Sequence, residues 1–347
     1  HPCRVRAGVL ARSPAGRFVP PTVSSWGTCV WILCPSAKPV PPGSSGPYPP
    51  VIRPMGSRFS RLSCALLITA ATCTPGSAVT QYPTVISVDD KGFPGTGYSY
   101  AGWRAVAGSR DERLVVFNSL APDLVPGDTN GVEDVFVRDL LLGTTERVSS
   151  SSTGAQADDH CRSPAISPDN RYVAFWSRAT NLVPADTNNK ADVFVHDRWT
   201  GQTSRASVGQ GNVEGDGNSS HPVFSRDNRW VLFLSGATNL VPGDTNGAAD
   251  VFMRHLAQDT LLRASLGQGG VQGDDDANEH FQLLSDGRTL LFSSAAGNLV
   301  PGDTNGASDV FKRDVITGSV ALVSESAVGG PLNGFTVLGG VSWDKEW

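Results

Sequence analysis

Short apolar segments alternate with polar turns along the chain from about residue 84 onward. Residues 219–266 show the pattern clearly, with the segments S-S-H-P-V-F-S, W-V-L-F-L-S, D-V-F-M-R-H and T-L-L-R-A-S-L in succession. Aromatic and β-branched residues dominate these segments, which predicts four short strands. We find no ten-residue stretch in the repeats with the 3.6-residue apolar spacing of an amphipathic helix. The pattern therefore predicts an all-β fold.

The same pattern recurs at a constant interval. Four segments share a D-T-N core, and their first aspartates follow one another at steps of 58, 58 and 59 residues: Asp128, Asp186, Asp244 and Asp303. A fixed period of this length is typical of supersecondary units that stack on their neighbours. Four short antiparallel strands per unit describe a blade of a β-propeller. We therefore predict a β-propeller of four-stranded antiparallel blades, with four full repeats and a partial fifth.

The two ends of the repeat region set our expectation for the complete propeller. The segment T-V-I-S-V-D-D at 84–90 aligns with the fourth strand of a repeat. The segment V-S-W-D at 341–344 aligns with the first strand and turn of a fifth repeat. Because the second and third strands of that fifth blade do not follow, we expect the chain to be a truncated part of a propeller with more blades.

The connections between strands fall into two classes. Short turns such as S-P-D-N-R at 167–171 and L-S-D-G-R at 284–288 place Asn or Gly where a hairpin requires a positive φ angle. The connection between the second and third strands, and the one leading to the next blade, are long and acidic. In an antiparallel blade these two long connections lie on the same face. Loops on a rigid scaffold commonly carry function, so we expect the binding face there.

The first 78 residues differ from the repeats. Residues 1–54 are rich in Pro, Ser and Arg without apolar periodicity, which predicts a disordered or untranslated upstream segment. Residues 55–78 combine two arginines, the apolar run L-S-C-A-L-L-I-T-A-A and small residues ending at Ala78, which predicts a signal peptide. That apolar run is too short to span a bilayer. We therefore expect the propeller, residues 79–347, to be secreted or periplasmic.

Charge is distributed unevenly. Eight of the 28 basic residues precede the first acidic residue, Asp89, so residues 89–347 carry 33 acidic against 20 basic side chains. An acidic body of this kind repels nucleic acid and anionic membrane surfaces and suits cations or cationic partners. Five of the six cysteines precede the repeats, and only Cys161 lies within them. We therefore expect Cys161 to be a partly buried thiol, with neither a disulfide framework nor a cysteine-based metal site.

The blade motifs resemble the TolB-type propeller repeat family. S-P-D-N-R-Y-V-A-F at 167–175 is similar to the hairpin of that family, S-P-D-G-R-x-x-A-F. D-V-F-V-H-D at 192–197, followed by Thr200 and Gly201, is similar to its third strand and turn. The resemblance covers about residues 84–347 and implies a propeller fold with binding or protein–protein roles in an exported protein. This chain departs from the family in its longer N-L-V-P-G-D-T-N-G loop.

The repeated loop D-T-N-G-x-x-D is a candidate calcium site. Its carboxylate and amide oxygens are of the kind that calcium binds, and two carboxylates per loop predict a weak, extracellular-type affinity of roughly 0.1–1 mM. The candidate ligands are Asp128, Asn130 and Asp134; Asp186, Asn188 and Asp192; Asp244, Asn246 and Asp250; and Asp303, Asn305 and Asp309.

A second interpretation of these loops requires no metal. Asp and Asn before Gly form Asx turns, and the aspartate that begins D-V-F could accept backbone N–H groups that order the loop. In the second copy Asn189 replaces the glycine and Lys190 follows it, and a cation at that position opposes calcium binding.

We carry two hypotheses for function. The first is a non-enzymatic binding scaffold for a protein or a cell-envelope or extracellular ligand, with neither nucleic acid nor a membrane span involved. The alternative is a metal-dependent hydrolase or lyase acting on polysaccharide or peptide. Its metal ligands would be His221, His280 and nearby acids at the mouth of the central channel that a propeller encloses. The sequence contains no G-x-S-x-G motif of a serine hydrolase.

Overall fold

The computed structural model describes residues 29–32, 67–71, 84–100, 111–325, 334, 336 and 338. The chain divides into two compact units, residues 1–62 with 66–86, and residues 63–65 with 87–347. In the first unit, β1 (Cys29–Ile32), β2 (Leu67–Ala71) and β3 (Thr84–Val85) form an antiparallel sheet in the order β1-β2-β3. The rest of the predicted upstream segment and signal peptide lies outside the described residues.

The second unit contains four sheets of four strands each, every one an antiparallel meander in chain order. Blade 1 consists of β4 (Ser99–Tyr100), β5 (Leu114–Ser119), β6 (Asp134–Asp139) and β7 (Thr144–Arg147). Blade 2 consists of β8 (Cys161–Ile166), β9 (Tyr172–Ser177), β10 (Asp192–Asp197) and β11 (Gln202–Arg205). Blade 3 consists of β12 (Ser219–Phe224), β13 (Trp230–Ser235), β14 (Asp250–His255) and β15 (Leu261–Arg263). Blade 4 consists of β16 (Ala277–Leu283), β17 (Thr289–Ser294), β18 (Asp309–Asp314) and β19 (Val320–Leu322).

The prediction of four-stranded propeller blades is therefore confirmed. The first strands are the inner ones, since β12 contacts both β8 and β16, and it also packs against β9 and β10 of the preceding blade. The described residues contain one short 3₁₀ helix, Gln268–Gly270. Within the same residues there is no helix of the length and apolarity that a bilayer span requires.

The middle strands supply the core because their side chains are buried on both faces. Every residue of β5 and of β6 is buried. In each blade a phenylalanine of the second strand stacks on one of the third, with ring centroids 5.6–6.0 Å apart: Phe117–Phe136, Phe175–Phe194, Phe233–Phe252 and Phe292–Phe311. Because each aromatic ring removes a large apolar area from water, this pair stabilises every blade.

The predicted hairpin turns are confirmed where the structure describes them. Asn170, Asn228 and Gly287 have φ angles of 67°, 60° and 65°. The hydroxyl of Ser167 donates to Asp169 and accepts the N–H of Tyr172, which closes the turn. The left-handed conformation that Asn tolerates and Gly adopts freely is therefore what these turns require.

Neighbouring blades are joined by third-strand side chains. Arg138 donates to the carbonyl oxygen of Asp89, Arg254 to that of Ala206, and Arg313 to that of Leu266. Each acceptor belongs to the segment that precedes the blade. These bonds provide donors for carbonyl groups of the connecting segments.

The structure differs in detail from the sequence expectations for residues 84–90 and for Cys161. Thr84–Val85 forms the edge of the three-stranded sheet, whereas Val88 forms a β-bridge with Pro94 that matches the bridge between Val208 and Glu214. Cys161, expected to be partly buried, is fully buried, and this desolvation raises the pKa of its thiol. A thiol in this state is a poor nucleophile.

Candidate functional site

The long connections between the second and third strands, 120–133, 178–191, 236–249 and 295–308, form four equivalent loops that we call DTN loops 1 to 4. Each contains an Asx turn. The side-chain oxygen of the loop asparagine accepts the N–H two residues later, at distances of 3.4 Å, 2.9 Å, 3.4 Å and 2.9 Å for Asn130, Asn188, Asn246 and Asn305. The turn geometry expected from the sequence is thus present in every copy.

The same asparagines contact the aspartates that begin the third strands. The Nδ2 atoms of Asn130, Asn188, Asn246 and Asn305 donate to the Oδ2 atoms of Asp134, Asp192, Asp250 and Asp309 over 2.8, 2.9, 3.2 and 2.6 Å. Two members of each predicted metal set are therefore brought together. Each contact also orders its loop.

A serine two residues after the fourth strand completes this frame. The hydroxyls of Ser149, Ser207, Ser265 and Ser324 donate to the Oδ1 atoms of Asp134, Asp192, Asp250 and Asp309, each over 2.5 Å. Each hydroxyl also accepts a backbone N–H, for example that of Val135 at 3.0 Å. The serine thus links each of these carboxylates to the backbone, because its hydroxyl donates to the aspartate and accepts the N–H of the next residue.

In three of the loops an arginine neutralises the carboxylates. The Nη1 atom of Arg205 lies 3.0 Å from Asp186 and 3.2 Å from Asp192. The Nη1 atom of Arg263 lies 2.8 Å from Asp244 and 3.2 Å from Asp250. In DTN loop 1 the corresponding distances from Arg147 are 3.2 Å to Asp128 and 4.0 Å to Asp134.

A third oxygen reaches the same nitrogen from the following inter-blade segment. Glu214 Oε1 lies 3.0 Å from Arg205 Nη1, and Gln272 Oε1 lies 2.9 Å from Arg263 Nη1. These two arginine side chains are 7% and 8% exposed. One guanidinium nitrogen thus occupies a buried position surrounded by three oxygen atoms, where it supplies the positive charge that the carboxylates require.

DTN loop 4 differs from the other three at the position of this arginine. In the strand register, Arg147, Arg205 and Arg263 lie opposite the third-strand phenylalanines, and Leu322 lies opposite Phe311 in the same way. Leucine carries no charge and no hydrogen-bond donor in its side chain. The carboxylates of Asp303 and Asp309 therefore have no arginine from their own blade.

The pKa of the first aspartate of each loop depends on its burial and on the charges beside it. Burial raises the pKa of Asp186 to about 6, and the nearby positive charge of Arg205 offsets only part of that effect. Burial also raises the pKa of Asp244, again against the opposing charge of Arg263. For Asp303 burial is the first cause of a raised pKa, and the second is the negative charge of Asp309.

The inter-blade segments are bonded to the DTN loops. Asp158 accepts the N–H and the hydroxyl of Thr180, both over 2.8 Å. Asp216 accepts the same two groups of Thr238 over 2.7 and 2.6 Å. Some of the acidic side chains of the inter-blade segments thus connect these segments to the DTN loops. We call the surface formed by the DTN loops and the inter-blade segments the loop face.

Both histidines of the alternative hypothesis lie in inner strands. His221 is in β12 with a φ angle of 53°, and its Nε2 atom is 3.8 Å from Glu279 Oε2. His280 lies in β16, and its Nδ1 atom is buried without a hydrogen-bond partner. Among the residues that the structure describes, no group of three or more His, Cys, Asp or Glu side chains is arranged to hold a metal ion.

Sequence reasoning missed the arginine and the glutamine of this site. Both are recognisable afterwards, because R-V-S, R-A-S, R-A-S and L-V-S end at the four serines that bond the third-strand aspartates. Gln156, Glu214 and Gln272 each follow such a serine by seven residues. Oε1 of Gln156 accepts the N–H groups of Thr129 and Asn130, both over 3.1 Å.

The chain is similar to several known proteins over part of its length. A probable dipeptidyl-peptidase 5 of Aspergillus niger is 30% identical over 183 residues, which cover 47% of this chain and 23% of the relative. TolB of Acinetobacter baumannii superposes with a TM-score of 0.43 at 14% identity, covering 74% of this chain and 48% of that one. Dipeptidyl peptidase 4 of Porphyromonas gingivalis gives a TM-score of 0.43 at 11% identity, covering 74% and 36%.

No protein-family model matches the chain. The chain spans about a quarter of the curated relative, as the 23% coverage shows.

Proposed function

We propose that this chain is a non-enzymatic, exported binding scaffold whose partner docks on the loop face. The observation that supports this proposal is the bonding between DTN loops and inter-blade segments, such as the pairs Thr180–Asp158 and Thr238–Asp216. Loops held in one conformation before binding lose little entropy when a partner docks. The repeated frame therefore presents a preformed surface.

The partner is a protein or a cell-envelope or extracellular ligand with basic character. Residues 89–347 carry 33 acidic against 20 basic side chains, which attracts cationic groups and repels nucleic acid. The exposed tips of the loops, including Pro126, Ala185 and Pro242, are small and uncharged. We infer that these tips provide close contact, while the acidic side chains around them provide attraction over longer distance.

A selection from a random peptide library displayed on phage tests the proposal. We expect the full chain to select basic peptides whose binding is lost in the Ala185→Lys variant on the loop face. The matched control is Ile316→Lys, because Ile316 is 73% exposed and lies in the turn between the third and fourth strands of blade 4. Peptides that bind Ala185→Lys normally, or that are lost in Ile316→Lys, would show that the loop face is not the binding surface.

The export hypothesis has its own test. Expression with the native amino-terminal region in a bacterium, followed by sequencing of the amino terminus of the recovered protein, is expected to place that terminus just after Ala78. A recovered protein that begins before Met55 would refute the signal peptide and leave the binding proposal standing.

The similarity to a probable dipeptidyl-peptidase supports a second candidate, in which the chain takes part in peptide hydrolysis. Fluorogenic dipeptide substrates separate the two functions. Turnover that His221→Ala abolishes, with an unchanged unfolding temperature, would establish an enzyme that uses the inner-strand histidine. Peptide binding without turnover would favour the scaffold.

A further inference from the structure

DTN loop 4 has the carboxylates of the other loops but, among the described residues, lacks their arginine. Asp303 and Asp309 are 8% and 0% exposed. The Oδ1 atom of Asp303 is buried and has no hydrogen-bond partner. Within the described part of the chain, no arginine or lysine nitrogen lies within 4.0 Å of either carboxylate. Asp309 accepts hydrogen bonds from Asn305 and Ser324, but among the described residues neither carboxylate has a cationic side chain beside it.

The other loops show what this position accommodates. In DTN loop 3 the equivalent oxygens, Asp244 Oδ1 and Asp250 Oδ2, lie 2.8 Å and 3.2 Å from the Nη1 atom of Arg263. A single positively charged centre therefore fits between the two carboxylates of this frame. Burying unpaired carboxylates costs several kcal/mol, and a cation between them removes much of that cost.

We propose that DTN loop 4 binds one calcium ion between Asp303 Oδ1 and Asp309 Oδ2, in the place that an arginine nitrogen occupies in the other three loops. Carboxylate oxygens suit hard cations, and calcium accepts irregular oxygen geometry more readily than magnesium does. Water supplies the remaining ligands. With two carboxylates the dissociation constant is about 0.1–1 mM, in the range of extracellular modules.

Calcium binding is confined to this loop. In DTN loops 1 to 3 a bound ion would have to displace Arg147, Arg205 or Arg263 from the oxygens that surround each of them. The proposal is independent of the partner-binding role, because it concerns the charge balance of one blade. Its failure would leave the loop face unchanged as a binding surface.

Isothermal titration of calcium chloride into the full chain, in chelator-treated buffer with 150 mM potassium chloride, tests the proposal. We expect one site per chain. We also expect 10 mM calcium to raise the unfolding temperature by about 3–10 °C relative to chelator, because a ligand at 10–100 times its dissociation constant stabilises the native state by about 1.4–2.7 kcal/mol.

Two variants identify the site. Leu322→Arg restores the residue found in the other blades and is expected to abolish both the heat of binding and the temperature shift. Asp303→Asn removes one ligand and is expected to weaken binding at least tenfold, which covers the case in which Leu322→Arg does not fold. The matched control is Asp244→Asn in DTN loop 3, which should retain the calcium response. Absence of binding up to 10 mM calcium, or a response that persists in Leu322→Arg, would overturn the proposal.

Discussion

DTN loops 3 and 4 share a backbone frame and differ in their charge. In both, an asparagine amide and a serine hydroxyl donate to the aspartate that begins the third strand, over 3.2 Å and 2.5 Å for Asp250 and over 2.6 Å and 2.5 Å for Asp309. Arg263 neutralises the first cluster, whereas the second has Leu322 at the equivalent register position.

The comparison teaches that loop shape and charge balance are set by different residues. The Asx turn and the serine bond are local, and they are the same in all four blades. Charge balance depends on one side chain that lies 19 residues after the first aspartate of the loop, as in Asp303 and Leu322. A repeat can therefore keep its fold while one copy acquires a different requirement for a cation.

The largest effect should follow from removing an arginine where three oxygens depend on it. Arg205→Leu leaves Asp186, Asp192 and Glu214 without their shared cation, so the free energy of unfolding in chelator should fall by about 3–5 kcal/mol. This corresponds to about 6–20 °C in thermal unfolding. Arg229→Leu is the control, since the Arg229 side chain is 71% exposed and should change stability by no more than about 0.5 kcal/mol. Equal effects of the two substitutions would contradict the role assigned to Arg205.

A smaller and equal effect is expected for the serines that all the loops share. Ser265→Ala and Ser324→Ala each remove a donor to a buried aspartate and an acceptor for a backbone N–H. Each should lower the free energy of unfolding by about 1–3 kcal/mol in urea titrations. A clear difference between the two variants would show that loops 3 and 4 differ in their hydrogen-bond frame as well as in charge.

The stability of the chain should change in opposite directions when the aspartates that begin the third strands, Asp250 and Asp309, are replaced by asparagine. In chelator, Asp309→Asn removes one of two repelling charges in loop 4 and is expected to stabilise the chain by about 1 kcal/mol. Asp250→Asn breaks the buried pair with Arg263 and is expected to destabilise it. Chemical unfolding of both variants provides the measurement. Destabilisation of similar size in both would remove the distinction between the two loops.

The smallest effect concerns pH. Burial and the charge of Asp309 raise the pKa of Asp303, so in chelator the folded state binds more protons than the unfolded state once the pH exceeds about 4. The free energy of unfolding should therefore fall as the pH rises from about 4 through the raised pKa, and Asp303→Asn should flatten this slope. The pKa of Asp197, lowered to about 2 by its bonds to Arg171, acts oppositely, and its contribution is lost as the pH falls from about 4 towards 2. A slope unchanged in Asp303→Asn would contradict this assignment.

The sequence predicted the features that depend on neighbouring residues. The period, the four strands of each blade and the left-handed turns at Asn170 and Asn228 all follow from local patterns, and the structure confirms them. The Asx turns at the loop asparagines belong to the same class, because donor and acceptor lie two residues apart. Local chemistry of this kind is visible in a single sequence.

The charge partners were not predicted because they come from another strand. Arg205 reaches Asp186 only when β11 has paired with β10, and no local pattern links the two residues. Similarly, Gln272 bonds the backbone of Thr245 from the next inter-blade segment. The role of Leu322 in the fourth copy can be recognised only from the ion pairs that the equivalent arginines form in the other three.

The central claim is that each DTN loop requires a positive charge between its carboxylates, supplied either by an arginine side chain or by a bound metal ion. Calcium titration of the Arg263→Leu variant, followed by calorimetry, tests this claim most directly. Because Arg263→Leu leaves the carboxylates of DTN loop 3 without an arginine, as in DTN loop 4, we predict that the number of calcium ions bound per chain rises from one to two. An unchanged number, in a variant that still unfolds cooperatively, would contradict the claim.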